Sequence, residues 1–177
     1  VLYVFKTSAD PFVGKISLCR VIEGPIHSGD LRLINARSGD EERIAALYVQ
    51  RGKEQISVPV LHVGDLGTVT KLTSARTGDS LCDRQHGTRL EPIRFPNPLY
   101  AVAVQPKTKT DAAKINVALA RLVEEDPSLR STHEMSTNET LLHGLGQAHI
   151  DVAVHHLHAK FGVDVETLLP RISYRET

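Results

Sequence analysis

This chain lacks net charge. Its 177 residues carry 21 Lys plus Arg against 21 Asp plus Glu, a formal charge of zero at pH 7 with histidine neutral. The bulk electropositivity of a general nucleic-acid binder is therefore missing, and any contact with a polyanion must come from local patches. Aromatic residues are scarce, at 5%. The second half has no aromatic-rich strand of the kind on which RNA-recognition modules stack bases, which disfavours a simple single-strand stacker. Cysteine is limited to Cys19 and Cys82. They lie far apart in apolar-rich contexts and read as reduced core thiols, with a disulfide the lesser alternative. No apolar run approaches the roughly 20 residues that a membrane-spanning helix needs. No charged-then-apolar leader opens the chain. A cytoplasmic protein away from membranes is expected. The chain opens at Val1 and closes on "YRET", and it reads as an internal piece of something longer. Short catalytic signatures are missing too: there is no CxxC, HExxH or GxSxG. Gly14-Lys15 lacks the upstream glycine and the following Ser or Thr of a phosphate loop.

What is present divides in two. Over residues 1–95, short β-branched or alternating runs recur: "VLYVF", "VGKISLCRVI", "LRLINA", "RIAALYV", "ISVPVL" and "GTVTKL". Gly-Asp pairs punctuate them at Gly29-Asp30, Gly39-Asp40, Gly64-Asp65 and Gly78-Asp79. Glycine supplies positive φ and aspartate caps its own turn. Regular short strands with this spacing predict a closed barrel or sandwich, here a Greek-key barrel, whose closure removes sticky edges. No stretch has the length and period of a helix. Pro92, Pro96 and Pro98 then mark a stiff linker, with Pro96 and Pro98 the expected hinge.

Residues 96–177 are mixed. "LYAVAVQ" reads as a strand. Asp111 is expected to cap a helix whose Ile115, Ala118, Leu119 and Leu122 fall on one face. "LRSTHEM" and "ETLLHGL" flank the polar turn "STN" as a hairpin. A second helix is expected from about Gln147 to Phe161, with Gly162 as its C-cap, and "VDVETLLP" closes with a strand. The order β-α-β-β-α-β predicts a ferredoxin-like α+β domain with both helices on one face.

The histidines concentrate in "HGLGQAHIDVAVHHLHAKFG". Ile150, Val154, Leu157 and Phe161 make the expected core stripe. His149 and His156 lie along one edge of it, two turns apart and so too distant for one metal ion. Asp151, His155 and His158 fall at i, i+4 and i+7 and could in principle share a metal, but no fourth ligand or pattern of residues to orient the ligands is evident. A solvated helical face is the favoured reading; a metal-binding module is the competitor. Gly144-Leu145-Gly146 lacks the third glycine of a dinucleotide fingerprint, and the glycines read as a tight turn. Candidate phosphate contacts are Arg32, Arg37, Arg43, Arg51 and Lys53 in the first half. In the second, Lys107, Lys109 and Lys114 bracket the first helix's start.

Taken in order, these segments are specific. "ADPFVGKISLCRVIEGPIHSGDLRLINARSGDEERIAALYVQRGKE" and "VGDLGTVTKLTSARTGDSLCD" resemble the second domain of elongation factor G. "LEPIRFPNPLYAVAVQPKTKTD", "ALARLVEEDPSLR", "GLGQAHIDVAVHHLHAKFGVDVET" and the closing "YRET" are similar to its linker and third domain. The resemblance covers essentially the whole chain. It implies a translational GTPase that moves tRNA and mRNA on the ribosome, with GTP and Mg2+ held in a preceding domain. This chain has neither a P-loop nor Asn-Lys-x-Asp and is expected to carry no cofactor, no metal and no catalytic residue. The implied partners are small-subunit rRNA, a small-subunit protein and the parent's own GTPase and later domains; the chain alone is expected to be monomeric. Where the family reads Gly-x-Gly-Glu-Leu-His-Leu-Glu, this chain reads Gly-Leu-Gly-Gln-Ala-His-Ile-Asp. His149 is kept, while Gln147 and Ala148 replace a carboxylate and a leucine. Gln147, Ala148 and His149 are the expected GTPase-domain contact. A divergent paralogue acting in ribosome recycling or antibiotic protection is the alternative.

Overall fold

The computed structural model describes residues 1–10, 13–52, 54–84 and 87–172. The chain divides into two compact units, Val1–Arg94 and Phe95–Thr177.

The first unit is all-β. Its strands are β1 (Leu2–Asp10), β2 (Gly14–Val21), β3 (Ile26–His27), β4 (Leu31–Asn35), β5 (Glu41–Ile44), β6 (Leu47–Arg51), β7 (Glu54–Val58), β8 (Val60–Leu61), β9 (Leu66–Thr70) and β10 (Ser80–Cys82). Eight of them form one antiparallel sheet in the order β5-β4-β10-β1-β2-β9-β6-β7, and β3 pairs with β8. Alternation explains the core. Leu2 and Val4 of β1, Cys19 and Val21 of β2, Leu47 of β6, Val69 of β9 and Leu81 of β10 converge in one buried cluster as the sheet curls around them. Both cysteines are free and buried, and burial pushes the Cys19 thiol up to about 12. The barrel-like first half and the α+β second half are as expected. Within the first, "RIAALYV" and "ISVPVL" each split into two strands, the second at Pro59, which has no N–H for a ladder. The barrel takes the form of a curled sheet: among the described residues no ladder joins β5 to β7. Both edges are polar instead, with Glu41, Glu42 and Arg43 on one and Glu54, Gln55 and Ser57 on the other, which discourages further strand pairing.

The Gly-Asp turns behave as their chemistry requires. Gly29, Gly39, Gly64 and Gly78 all have positive φ. Asp65 and Asp79 close their turns by accepting from the amides of His62 and Arg76. Asp30 differs, pairing with Arg43.

The second unit runs β11 (Tyr100–Pro106), α1 (Lys109–Glu125), β12 (Arg130–Glu134), β13 (Glu139–Gly144), α2 (Gln147–Phe161) and β14 (Val165–Leu168). Its antiparallel sheet has the order β12-β13-β11-β14, the ferredoxin-like arrangement. Val102, Val104 and Leu142 of the sheet pack with Ile115, Leu119 and Leu122 of α1 and Ile150, Ala153 and Leu157 of α2. Val154 and Phe161 are half-buried at the margin of that cluster, so the α2 stripe centres on Ile150, Ala153 and Leu157. The cap of α1 is Thr108, not Asp111. The Thr108 hydroxyl accepts from the Asp111 amide while the Asp111 carboxylate receives the Thr108 amide, a capping box with Asp111 at the third position. Asp111 also accepts from the Asp164 amide, tying the helix start to the approach to β14.

Candidate functional site

The start of α2 is built around His149. Its ring lies between the ends of the two helices, with the side chain 20% exposed. Nδ1 accepts from the Leu145 amide at 3.1 Å. A nitrogen that accepts a backbone N–H carries no proton, so the hydrogen sits on Nε2 and is donated to Asp126 Oδ2 at 2.9 Å. Asp126 is the C-cap of α1, and its other oxygen accepts from the amide and hydroxyl of Ser128. Burial opposes the Asp126 charge, but the bonds from Ser128 and His149 outweigh it and hold the carboxyl below its ordinary range. Gly144 is required beside this clasp. A Cβ there would lie 2.8 Å from Ile150 Cδ1 and 3.3 Å from His149 Nδ1. His149 thus spends both nitrogens inside its own unit. Its neighbours are the outward-facing pair: Gln147 and Ala148 are exposed, and Gln147 Oε1 accepts from the Tyr100 hydroxyl at 2.8 Å.

The remaining histidines do not converge. His158 turns to Asp164, with Nδ1 2.9 Å from Oδ1. His155 tilts against His156 at 6.3 Å between ring centroids. Asp151, His155 and His158 are not brought together, and among the described residues no group of three His, Cys, Asp or Glu could hold a metal ion.

The nominated arginines of the first unit all face carboxylates. Arg32 pairs with Glu41 at 2.6 Å, Arg43 with Asp30 at 2.5 Å and Arg51 with Glu54 at 3.3 Å. Arg37 grips Asp79 with two bonds and reaches the Ser74 carbonyl as well. Lys53 lies outside the described residues. Lys107 and Lys109 are exposed at the start of α1, with no salt bridge to a carboxylate among the described residues.

Three features escaped sequence reasoning. One is Asp126, the partner of His149; its signal was Asp126-Pro127-Ser128, an Asx turn after a helix. Another is Glu42. This buried carboxylate accepts from the amides of Thr73, Ser74 and Ala75 and from the hydroxyls of Thr73 and Ser74. Burial opposes its charge, yet these donors hold the carboxyl below its usual range. The third is Lys6. Strict alternation after Leu2 and Val4 turns it inward, but a register shift between Val4 and Lys6 puts Lys6 on the outer face.

Comparison with known proteins agrees with this architecture unit by unit. Residues 1–84 match the family model "Elongation factor G domain 2", and residues 95–168 match "Elongation Factor G, domain III". Elongation factor G of Cytophaga hutchinsonii is 36% identical over 173 residues, covering 98% of this chain and 24% of that protein. A crystal structure from Thermus thermophilus matches with a TM-score of 0.83 at 34% identity, over 97% of this chain and 26% of that one. The chain therefore spans about a quarter of the length of the relatives it matches. It belongs to the elongation factor G family and covers that family's domains II and III.

Proposed function

We propose that this chain is the ribosome-contacting, conformation-relaying part of a cytoplasmic translational GTPase that acts in translocation during protein synthesis. The observation that carries the reading is the ordered pair of domain matches, II then III, across a chain that is a quarter of elongation factor G. Its work is mechanical. A relay needs two rigid bodies and a linker whose preferred geometry another site can bias. Each unit has its own packed core, and Pro96 and Pro98 restrict the stretch that opens the second unit. Small-subunit rRNA and a small-subunit protein are the proposed partners. Gln147 and Ala148 form the proposed surface for the GTPase domain, with His149 as the residue that positions them. Lys107 and Lys109 are offered to phosphate.

GTP and Mg2+ belong to another part of the parent, because this chain's residues do not fit them. The Leu145 amide of the Gly-Leu-Gly turn, which a phosphate would need, is taken by His149 Nδ1. No carboxylate cluster suited to a metal is present among the described residues. The test is sedimentation with isolated small ribosomal subunits through a sucrose cushion. The chain is expected to pellet with the subunits and to be displaced by full-length elongation factor G. A chain that stays in the supernatant at every protein concentration would overturn the reading.

A further inference from the structure

We propose that residues 169–172 are a strap latched across the helix-free face of the second unit's sheet, with Arg171 as the bolt and Glu139 as the catch. The inference concerns the second unit alone and does not depend on the ribosome reading. Residues opposite one another in an antiparallel ladder share a face, and successive residues of a strand alternate between faces. Val102, Val104 and Leu142 lie in the core with the two helices. Ala103, Leu141 and Glu139 therefore point the other way. The register sets Thr132, Leu141, Ala103 and Leu168 in one row of that face. In the next row Glu134 stands opposite Glu139, and Gln105 opposite Glu166. Three carboxylates in one row favour the capture of a cation, and Arg171 is the one that Glu139 holds.

The path of the strap follows from the sheet order β12-β13-β11-β14. The strap leaves β14, yet Arg171 reaches β13, on the far side of β11. Its amide donates to Glu139 Oε2 at 3.1 Å, and its Nε lies 3.4 Å from Glu139 Oε1. Two strand spacings are about 10 Å, and three extended residues span about as much. Glu139 points away from the helices, so the chain crosses β11 on the helix-free side, over Ala103. Ala103 is fully buried there, between Leu141 and Leu168. The Glu139 side chain is only 6% exposed, and a carboxylate withdrawn from water needs its donors. Beyond Leu169, this pair is the strap's only hydrogen-bonded or ionic tie among the described residues. The strap's apolar residues add no anchor, since Leu169 is 87% exposed and Ile172 73%. One carboxylate thus decides between two states. Latched, the strap covers Ala103 and leaves Leu169 and Ile172 facing water. Released, it bares the apolar row of Leu141, Ala103 and Leu168.

The latch is read in the folded 177-residue chain by amide hydrogen exchange in 15N-edited NMR. The Arg171 N–H should exchange about tenfold more slowly in wild type than in Glu139→Ala, which removes its charged acceptor. Glu166→Ala, which removes an acid from the same row, should leave that rate unchanged. A soluble gadolinium chelate should spare the Ala103 methyl in wild type and broaden it in both Glu139→Ala and Arg171→Ala. Urea unfolding shows whether each variant is folded. Where Glu139→Ala is not, Arg171→Ala, which alters no sheet residue, decides through the Ala103 methyl. The proposal is overturned if the wild-type Arg171 N–H exchanges as fast as in an unstructured peptide, or if Glu139→Ala leaves it as slow. It also falls if Glu166→Ala speeds the exchange equally, or if the Ala103 methyl stays protected in the folded variants.

Discussion

Glu42 and His149 show how single side chains hold a loop that no ladder reaches. Glu42 gathers three successive amides, those of Thr73, Ser74 and Ala75, and an amide left without its acceptor in a buried site is costly. Glu42→Gln is expected to lower stability by roughly 2 kcal/mol in urea unfolding. The pH dependence follows from the same site. Glu42 and Asp79 both titrate below their ordinary values when folded; burial opposes each charge, and hydrogen bonds outweigh it, with Arg37 the largest contributor at Asp79. A depressed folded pKa means that stability is complete above the unfolded value, about 4 for both carboxyl types, and drains away as pH falls through the folded one. The urea midpoint should therefore drop below about pH 4, and Glu42→Gln should flatten that drop. His149 is expected to hold the Nε2–H tautomer in 15N-edited NMR. His149→Ala should cost about 2 kcal/mol, since it leaves the Leu145 amide and one Asp126 oxygen unpaired. A ring found with its proton on Nδ1 would refute the clasp.

Among the elements, the two helices of the second unit are anchored by different means. α1 has a complete capping box on Thr108, and Thr108→Ala is expected to lower stability by about 1 kcal/mol. α2 begins at Gly146 with no side-chain cap. What fixes its start is the packing of Ile150 against Gly144 and the His149 bond to Leu145. Gly144→Ala should therefore destabilise by about 1–3 kcal/mol through overpacking, although the backbone there does not need glycine's freedom; differential scanning calorimetry reads both variants. The α1 stripe and the Gly162 C-cap were legible in the sequence because they are local, a spacing and a residue type, whereas the α1 N-cap lay three residues earlier than expected and the α2 stripe turned to include Ala153 once the helices packed. The α2 clasp was not legible, because its two halves, Asp126 and His149, are separated by a hairpin and meet only when the helices pack.

For the whole molecule, the division of labour is the point. Two cores, one built by curled strands and one by helices on a sheet, give each unit its own packing, as the proposed relay requires. The chain is expected to leave a fluorescent GTP analogue unbound at any concentration where full-length elongation factor G saturates. Pro96→Gly with Pro98→Gly should leave the unfolding of each unit unchanged but weaken competition for small subunits, because a flexible linker has more freedom to lose on docking. An altered unfolding transition would show that these prolines stabilise a unit and do not merely stiffen the linker.

By itself the sequence determined the class of each half, most strand and helix positions, the positive-φ glycines and the family, since all of these follow from local periodicity, turn chemistry or ordered motifs. It also nominated Arg32, Arg37, Arg43 and Arg51 as basic contacts on their residue type alone. Only the tertiary structure decided that each of them faces a carboxylate, while among the described residues Lys6 and Arg20 do not. Ion pairing depends on which strands become neighbours, and one bulge after Val4 was enough to turn Lys6 to the opposite face of the sheet.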